Sequence, residues 1–317
     1  MEYNKRIEDF ASGDRVEGFY ILKDAVLKVT VSGKPFFSGA LMDRTGNIDL
    51  KIWDYSGPIG ADPGDSGKVV KVRGEVSEYK GNLQFTASHI RFSQETDDFD
   101  PSGLVPVAPV DAGAEYRLVR ELVASMEDSD YRRVAEEMLN RHEQAFWKIP
   151  AAKSVHHSFL SGLLMHTCNM MRLADFLAGQ YRDVIDRSLL LTGALLHDFA
   201  KEQEFAFSQL GMVTDYSVKG QLLGHLVMGA GEAAEVCRQL GIPETKSILL
   251  QHLILSHHGE PDFGAAVRPM CAEAELLSYI DLIDSRMEIY AETLPTVPAG
   301  SFSGRIFPLE KRIYHHE

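Results

Sequence analysis

ETDDFDPSGLVPVAPVD, residues 95–111, separates two stretches of different periodicity. Its acidic residues and three prolines show no repeat, as an interdomain linker requires. Before it, apolar residues alternate with polar ones; after it, they recur about every 3.6 residues. The reading is therefore a multidomain chain: an all-β unit over 1–95, a linker over 96–111 and an all-α unit over 112–317.

Five strands are expected in the first unit, in GFYILKDAVLKVTV, PFFSGALM, NIDLKIWD, KVVKVRGEVSEY and LQFTASHIRF. Ile48, Leu50 and Ile52 alternate with Asp49, Lys51 and Trp53, the pattern of a half-buried strand. DRTGN and YKGN supply tight turns, and the longest connection, GPIGADPGDSG, follows the third strand. This spacing suits a five-stranded closed barrel of the oligonucleotide-binding (OB) type. Such a barrel holds single strands through aromatic stacking and basic groups that track phosphates. Lys51, Trp53, Arg73, Tyr79, Lys80 and Phe85 are the candidates, with barrel core as the alternative for Tyr79 and Phe85.

Composition sets outer bounds. A chain of 317 residues, 44% hydrophobic, has material for a large core and is not disordered. Cys168, Cys237 and Cys271 stand far apart without CxxC, which suggests neither a disulfide framework nor a thiolate metal site. MEYNKRIEDF carries no apolar leader, and no run approaches the roughly 18 apolar residues of a membrane span, so a cytoplasmic location is expected. The net charge of −14 is uneven, with 13 Lys/Arg and 14 Asp/Glu in residues 1–95 against 19 and 32 in the rest. That acidity argues against sequence-independent binding to duplex nucleic acid but leaves room for a local basic groove.

In the second unit helices are expected at about 113–126, 129–148, 158–178, 184–198, 220–240, 245–258 and 271–290, with a loop or small hairpin over 203–219. Ligand-type residues punctuate these helices. His166 shares a stripe with Met170, Leu173 and Leu177, and His197 continues Leu190 and Ala194. His225 follows Leu222 by three, His257 and His258 follow Ile254, and Asp281 follows Leu277 by four. Polar atoms on so many apolar stripes are costly unless they converge on a cation. Successive helical residues diverge by about 100°, so His197 and Asp198 serve one ion only near a helix end, or Asp198 bridges two. His166, His197, Asp198 and Asp281 then form a first set, and His225, His257 and His258 a second. Two ions about 3.5–4 Å apart would clamp a phosphoryl group and activate water. Mixed nitrogen and oxygen ligation favours manganese, with iron, cobalt, nickel or zinc as alternatives, over magnesium.

LLHDFAK, residues 195–201, resembles the signature of the HD-domain metal-dependent phosphohydrolase superfamily, whose order is His, HD, Asp. The segments around His225, His257–His258 and Arg268 resemble its multi-histidine branch. An OB-type barrel ahead of such a domain is similar to the YhaM-type 3′-to-5′ exoribonucleases, over about residues 15–312. The resemblance implies His166, His197, Asp198 and Asp281 as primary ligands, with His225, His257 and His258 as additional ones. It implies the activity as well: a 3′-to-5′ exoribonuclease, with single-stranded DNA as a further candidate substrate, releasing nucleoside 5′-monophosphates by attack of a metal-activated hydroxide.

Asp198 and Lys201 are the catalytic candidates, Lys201 as a cation for phosphate oxygens or merely as a partner for a helix dipole. His156, His157 and Arg268 are candidate phosphate contacts; a helix cap for the histidines and a surface ion pair for the arginine are the alternatives. Expected partners are single-stranded RNA or DNA, no membrane, and a second copy of the chain. The competing readings are a nucleotide or cyclic-nucleotide phosphohydrolase and a non-catalytic single-strand-binding regulator with a structural metal site. An oxidative di-iron variant of the same scaffold is open to the same ligands.

Overall fold

The computed structural model describes residues 2–30, 33–60, 62–79, 81–94, 96–105, 107–151, 159–208 and 210–317. The chain forms two compact units, Met1–Pro106 with Ser208–Leu210, and Val107–Phe207 with Gly211–Glu317.

The first unit is a closed barrel. Strands β1 (Glu2–Tyr3), β2 (Arg15–Val29), β3 (Pro35–Asp43), β4 (Gly46–Trp53), β5 (Val69–Tyr79) and β6 (Asn82–Phe92) pair in the order β1-β2-β3-β4-β6-β5, and β2 also pairs with β5. One long strand closes the sheet: Arg15 to Ile21 of β2 face β5, while Val26 to Val29 face β3. The five long strands are those expected from alternation, and the two-residue β1 adds a short parallel edge. Leu22, Phe37, Leu41, Leu50, Val70 and Phe85 fill the interior with no exposed surface. At the β5–β6 bulge a Cβ on Gly74 would fall 2.3 Å from the Thr86 carbonyl oxygen, so only glycine fits. The acidic segment that follows is ordered against the barrel: Arg91 donates to both carboxylate oxygens of Asp97 at 2.7 and 2.6 Å, and Phe99 stacks on Phe19 with centroids 4.6 Å apart.

The second unit is helical: α1 (Ala112–Ala124), α2 (Ser129–Phe146), α3 (Gly162–Gln180), α4 (Arg187–Leu196), α5 (Lys201–Glu204), α6 (Val218–Leu240), α7 (Glu244–Ser256) and α8 (Ala272–Thr293). A small hairpin of β7 (Phe205–Phe207) and β8 (Val213–Tyr216) lies between α5 and α6, and β9 (Ser301–Phe302) pairs with β10 (Tyr314–His315) near the end. Asp111, Asp128, Asp186 and Ser217 cap α1, α2, α4 and α6 by accepting from backbone N–H groups of the first turn. Helix α4 is the axis of the unit; its residues from Ser188 to Leu196 are all buried. Gly193 lets α7 come close, since a Cβ there would lie 2.4 Å from a Leu253 methyl carbon. Among the described residues no helix is long and apolar enough to cross a membrane.

Candidate metal centre

The ligand candidates gather where α3, α4, α6, α7 and α8 meet. His166 lies in α3; His197 caps the C-terminus of α4 and Asp198 follows in the turn. At this helix end the two side chains reach one place, with His197 Nε2 3.2 Å from Asp198 Oδ2. His257 and His258 occupy the equivalent position at the end of α7. His225 corrects the expected stripe. Leu222 is 78% exposed while His225 is buried, because Gly224 (φ 70°, ψ 158°) breaks α6 between them and rotates the helix. The break also frees the His225 N–H, which donates to Glu204 Oε1 at 3.0 Å.

Four imidazoles are tethered through Nδ1. His166 is bonded to Asp284 Oδ2 at 2.6 Å, His225 to Glu204 Oε1 at 3.0 Å, His197 to the Ala194 carbonyl at 2.9 Å and His257 to the Ile254 carbonyl at 2.8 Å. Donation to an oxygen places the proton on Nδ1 and turns Nε2 inward, the arrangement of a metal-ligating histidine. Two clusters result, His166 with His197 and Asp198, and His225 with His257 and His258; within each, one ligand atom per residue lies within 4.8 Å of the others. Asp198 stands between them. Its Oδ2 is 3.2 Å from His197 Nε2 and 3.7 Å from His166 Nε2, and its Oδ1 is 3.5 Å from His225 Nε2 and 3.8 Å from His257 Nε2. Asp281, partly exposed, brings Oδ1 to 3.4 Å from His166 Nε2.

These donors fit divalent cations. Asp198 Oδ1, His225 Nε2, His257 Nε2 and His258 Nδ1 are buried, and among the described residues none has a hydrogen-bond partner. Acceptor facing acceptor in a dry interior is unfavourable by a few kcal/mol per group, and a cation between them removes the conflict. Electrostatics divides the rings. Burial lowers His166, but Asp281 and Asp284 outweigh it and raise it to about 10. His257 is held well below its ordinary value by burial and by neighbouring His197 and His258. Burial opposes ionisation of Asp198, yet Lys201 and His197 hold it well below the usual carboxylate range. Lys201 is the first residue of α5, not the last of a helix, and its Nζ donates to Asp198 Oδ2 at 2.6 Å.

Glu204 and Asp284 were not singled out by sequence. Asp284 had a signal, standing three residues after Asp281 and seven after Leu277 on one face of α8; Glu204, in a segment without periodicity, had none. The other candidates are not members of the two clusters. Arg268 is exposed and pairs with Glu260 at 2.8 Å, and His156 and His157 fall outside the described residues. On the barrel's outer face Trp53 is half exposed with its ring 5.3 Å from Phe36, and beside it on β4 Lys51 donates to Ser38 Oγ. Arg73 points outward on β5, 3.7 Å from Glu17, and Tyr79 is exposed where β5 ends, whereas Phe85 belongs to the core and Lys80 lies outside the described residues.

The chain matches the family models of an OB-fold nucleic acid binding domain over residues 20–92 and of an HD domain over residues 163–286. The 3′-5′ exoribonuclease YhaM of Geobacillus sp. (strain WCH70) is 34% identical over 317 residues, spanning 98% of this chain and 94% of that protein. The second OB-fold domain of replication protein A from Methanococcus maripaludis is 16% identical, covering 31% of this chain and 100% of that one with a TM-score of 0.23. The OB domain of Ta0387 from Thermoplasma acidophilum is 14% identical, covering 31% and 92% with a TM-score of 0.25. Both structural likenesses are too slight to argue from.

Proposed function

Since the chain belongs to the YhaM family of 3′-5′ exoribonucleases, a metal-dependent phosphohydrolase family with an OB-fold and an HD domain, we propose that Asp198 bridges two divalent ions in its active centre. His166, His197 and Asp281 complete the shell of one, and His225, His257 and His258 that of the other. Manganese is the ion first to be tried, because imidazole and carboxylate together suit it better than magnesium. The observation that carries the reading is the division of the Asp198 carboxylate, one oxygen towards each histidine cluster.

Divalent ions held there supply Lewis acidity towards a phosphodiester and lower the pKa of a water molecule. The chain's own groups do the rest. Glu204, Asp284 and the two carbonyls fix the rings so that Nε2 needs no reorientation. Lys201, beside Asp198, offers a fixed positive charge to phosphate oxygens as charge develops on them. Water adds at phosphorus, the bond to the 3′ oxygen of the penultimate nucleotide breaks, and that oxygen takes a proton. The terminal residue leaves as a nucleoside 5′-monophosphate. Single-stranded nucleic acid is held by the barrel, with Trp53, Lys51, Arg73 and Tyr79 as its contacts.

The test is incubation of the pure protein with manganese and 5′-labelled single-stranded RNA and DNA of equal sequence. A ladder shrinking from the 3′ end is expected, and Asp198→Ala should abolish it while helical circular dichroism persists. Unchanged substrate with saturable binding would favour the regulator, and more than a few per cent residual turnover in Asp198→Ala would remove the bridging role. Metal analysis should find two ions per chain, and a value of one would discard the second shell.

A further inference from the structure

Beyond the ligands lies a cavity of about 420 Å³ that shares His257, His258 and Asp281 with the metal centre. Its volume is in the range of small-molecule pockets. Its far wall is one face of α8, from Glu275 through Tyr279 and Leu282 to Arg286 and Ile289, and Leu309 of the C-terminal segment completes it. The lining is of two kinds. Tyr279, Leu282, Ile289 and exposed Phe263 are apolar surfaces of the sort that take a base. Glu260 and Glu275 are acceptor-only groups that suit sugar hydroxyls and oppose further anions. Glu275 accepts from the Tyr279 hydroxyl at 2.7 Å, which fixes both.

We propose that this cavity seats the 3′-terminal nucleoside of the substrate, its free sugar hydroxyls facing Glu260 and Glu275, so that the enzyme selects ends without a 3′-phosphate. The proposal rests on the exoribonuclease reading, which places the scissile phosphate at the metal ligands and the terminal nucleoside just beyond it. A nucleoside fits within this volume, with its 5′-phosphate directed to His257, His258 and Asp281. A 3′-phosphate would add about two negative charges beside Glu275 and beside Glu260, which is already paired with exposed Arg268 at 2.8 Å, with Arg286 as a cation in the wall.

Calorimetric titration of the manganese-loaded full chain with adenosine 5′-monophosphate and with adenosine 3′,5′-bisphosphate tests this without turnover. Attraction to the ions alone favours the bisphosphate; the pocket favours the monophosphate, by tenfold or more. Leu282→Trp, which narrows the cavity at its α8 wall, should erase that preference, as should Glu275→Gln if the larger residue fails to fold. Equal or tighter binding of the bisphosphate by the wild-type protein would overturn the proposal, as would an unchanged preference in a folded variant. A parallel digestion of RNA ending in 3′-hydroxyl or 3′-phosphate separates the two claims. If neither end is shortened while the binding preference holds, the exonuclease reading falls and the nucleoside pocket stands; if both are shortened at equal rates, the reverse is true.

Discussion

Residues outside the metal shell do much of the positioning. Glu204 fixes His225 twice, through the backbone N–H and through Nδ1, each at 3.0 Å. Removal of such a partner typically costs 10- to 100-fold in metal affinity. Glu204→Ala should therefore weaken manganese binding by about that factor; titration giving wild-type affinity in a folded variant would reject the positioning role. His142 is a second buried polar residue, between Glu202 at 2.6 Å and Glu232 at 2.9 Å. Burial lowers its pKa, but the two carboxylates prevail and raise it from 6.5 to about 9. The folded state holds this proton more tightly, so the stabilisation is complete below pH 6.5 and is lost as the pH rises through about 9. Its ceiling is about 3 kcal/mol, and partial exposure of Glu202 reduces it towards about 2. Chemical denaturation of His142→Gln should show a stability deficit at pH 6 that closes by pH 10; a deficit independent of pH would mean that packing, not charge, is lost.

At the scale of elements, the approach of α6 to α5 depends on one missing side chain. A Cβ on Gly220 would sit 2.1 Å from the Glu204 carbonyl oxygen, a backbone atom that cannot step aside. Gly220→Ala should cost on the order of 1–3 kcal/mol and displace Glu204 and His225 together, lowering activity as well as Tm. Gly231 is the matched control, exposed on the same helix with nothing within 4 Å of an added Cβ. There alanine should stabilise by about 0.5–1 kcal/mol and leave turnover unchanged. Thermal melts in which both variants behave alike would dismiss the close approach as the cause. The α6 break at Gly224 was not legible in the periodicity, which placed His225 and Leu222 on one stripe. A 3.6-residue pattern assumes an unbroken helix, and a single residue with positive φ re-aims everything after it.

At the scale of the molecule, the two largest hydrophobic cores among the described residues lie inside the barrel and around α4, with a small third cluster at Ile289, Leu309 and Ile313. If the barrel's outer face holds the strand, Trp53→Ala with Lys51→Ala should raise KM for long RNA by about tenfold, as expected for a lost stacking platform worth about 1–3 kcal/mol. Cleavage of a small phosphodiester that carries no base to stack should keep its rate. Equal losses on both substrates would make the barrel structural only.

The sequence by itself determined the change of period, the strand alternation, the ligand-type residues and their order, because these are local properties of neighbours two to four positions apart. It also set Trp53 opposite Ile52 by alternation but left Phe85 open between platform and core, which only the closed sheet decides. What the tertiary structure decided is every relation between residues far apart in the chain. Asp284 reaches His166 across 118 positions, and Glu204 reaches His225 only because α6 breaks at Gly224. The division of Asp198 between two histidine clusters belongs to the same class, since no spacing along the chain encodes a distance between helices. Convergence was expected from the cost of burying polar groups; for His166, His197, His225 and His257, which nitrogen faces inward is set by the oxygen that the ring finds on its other side.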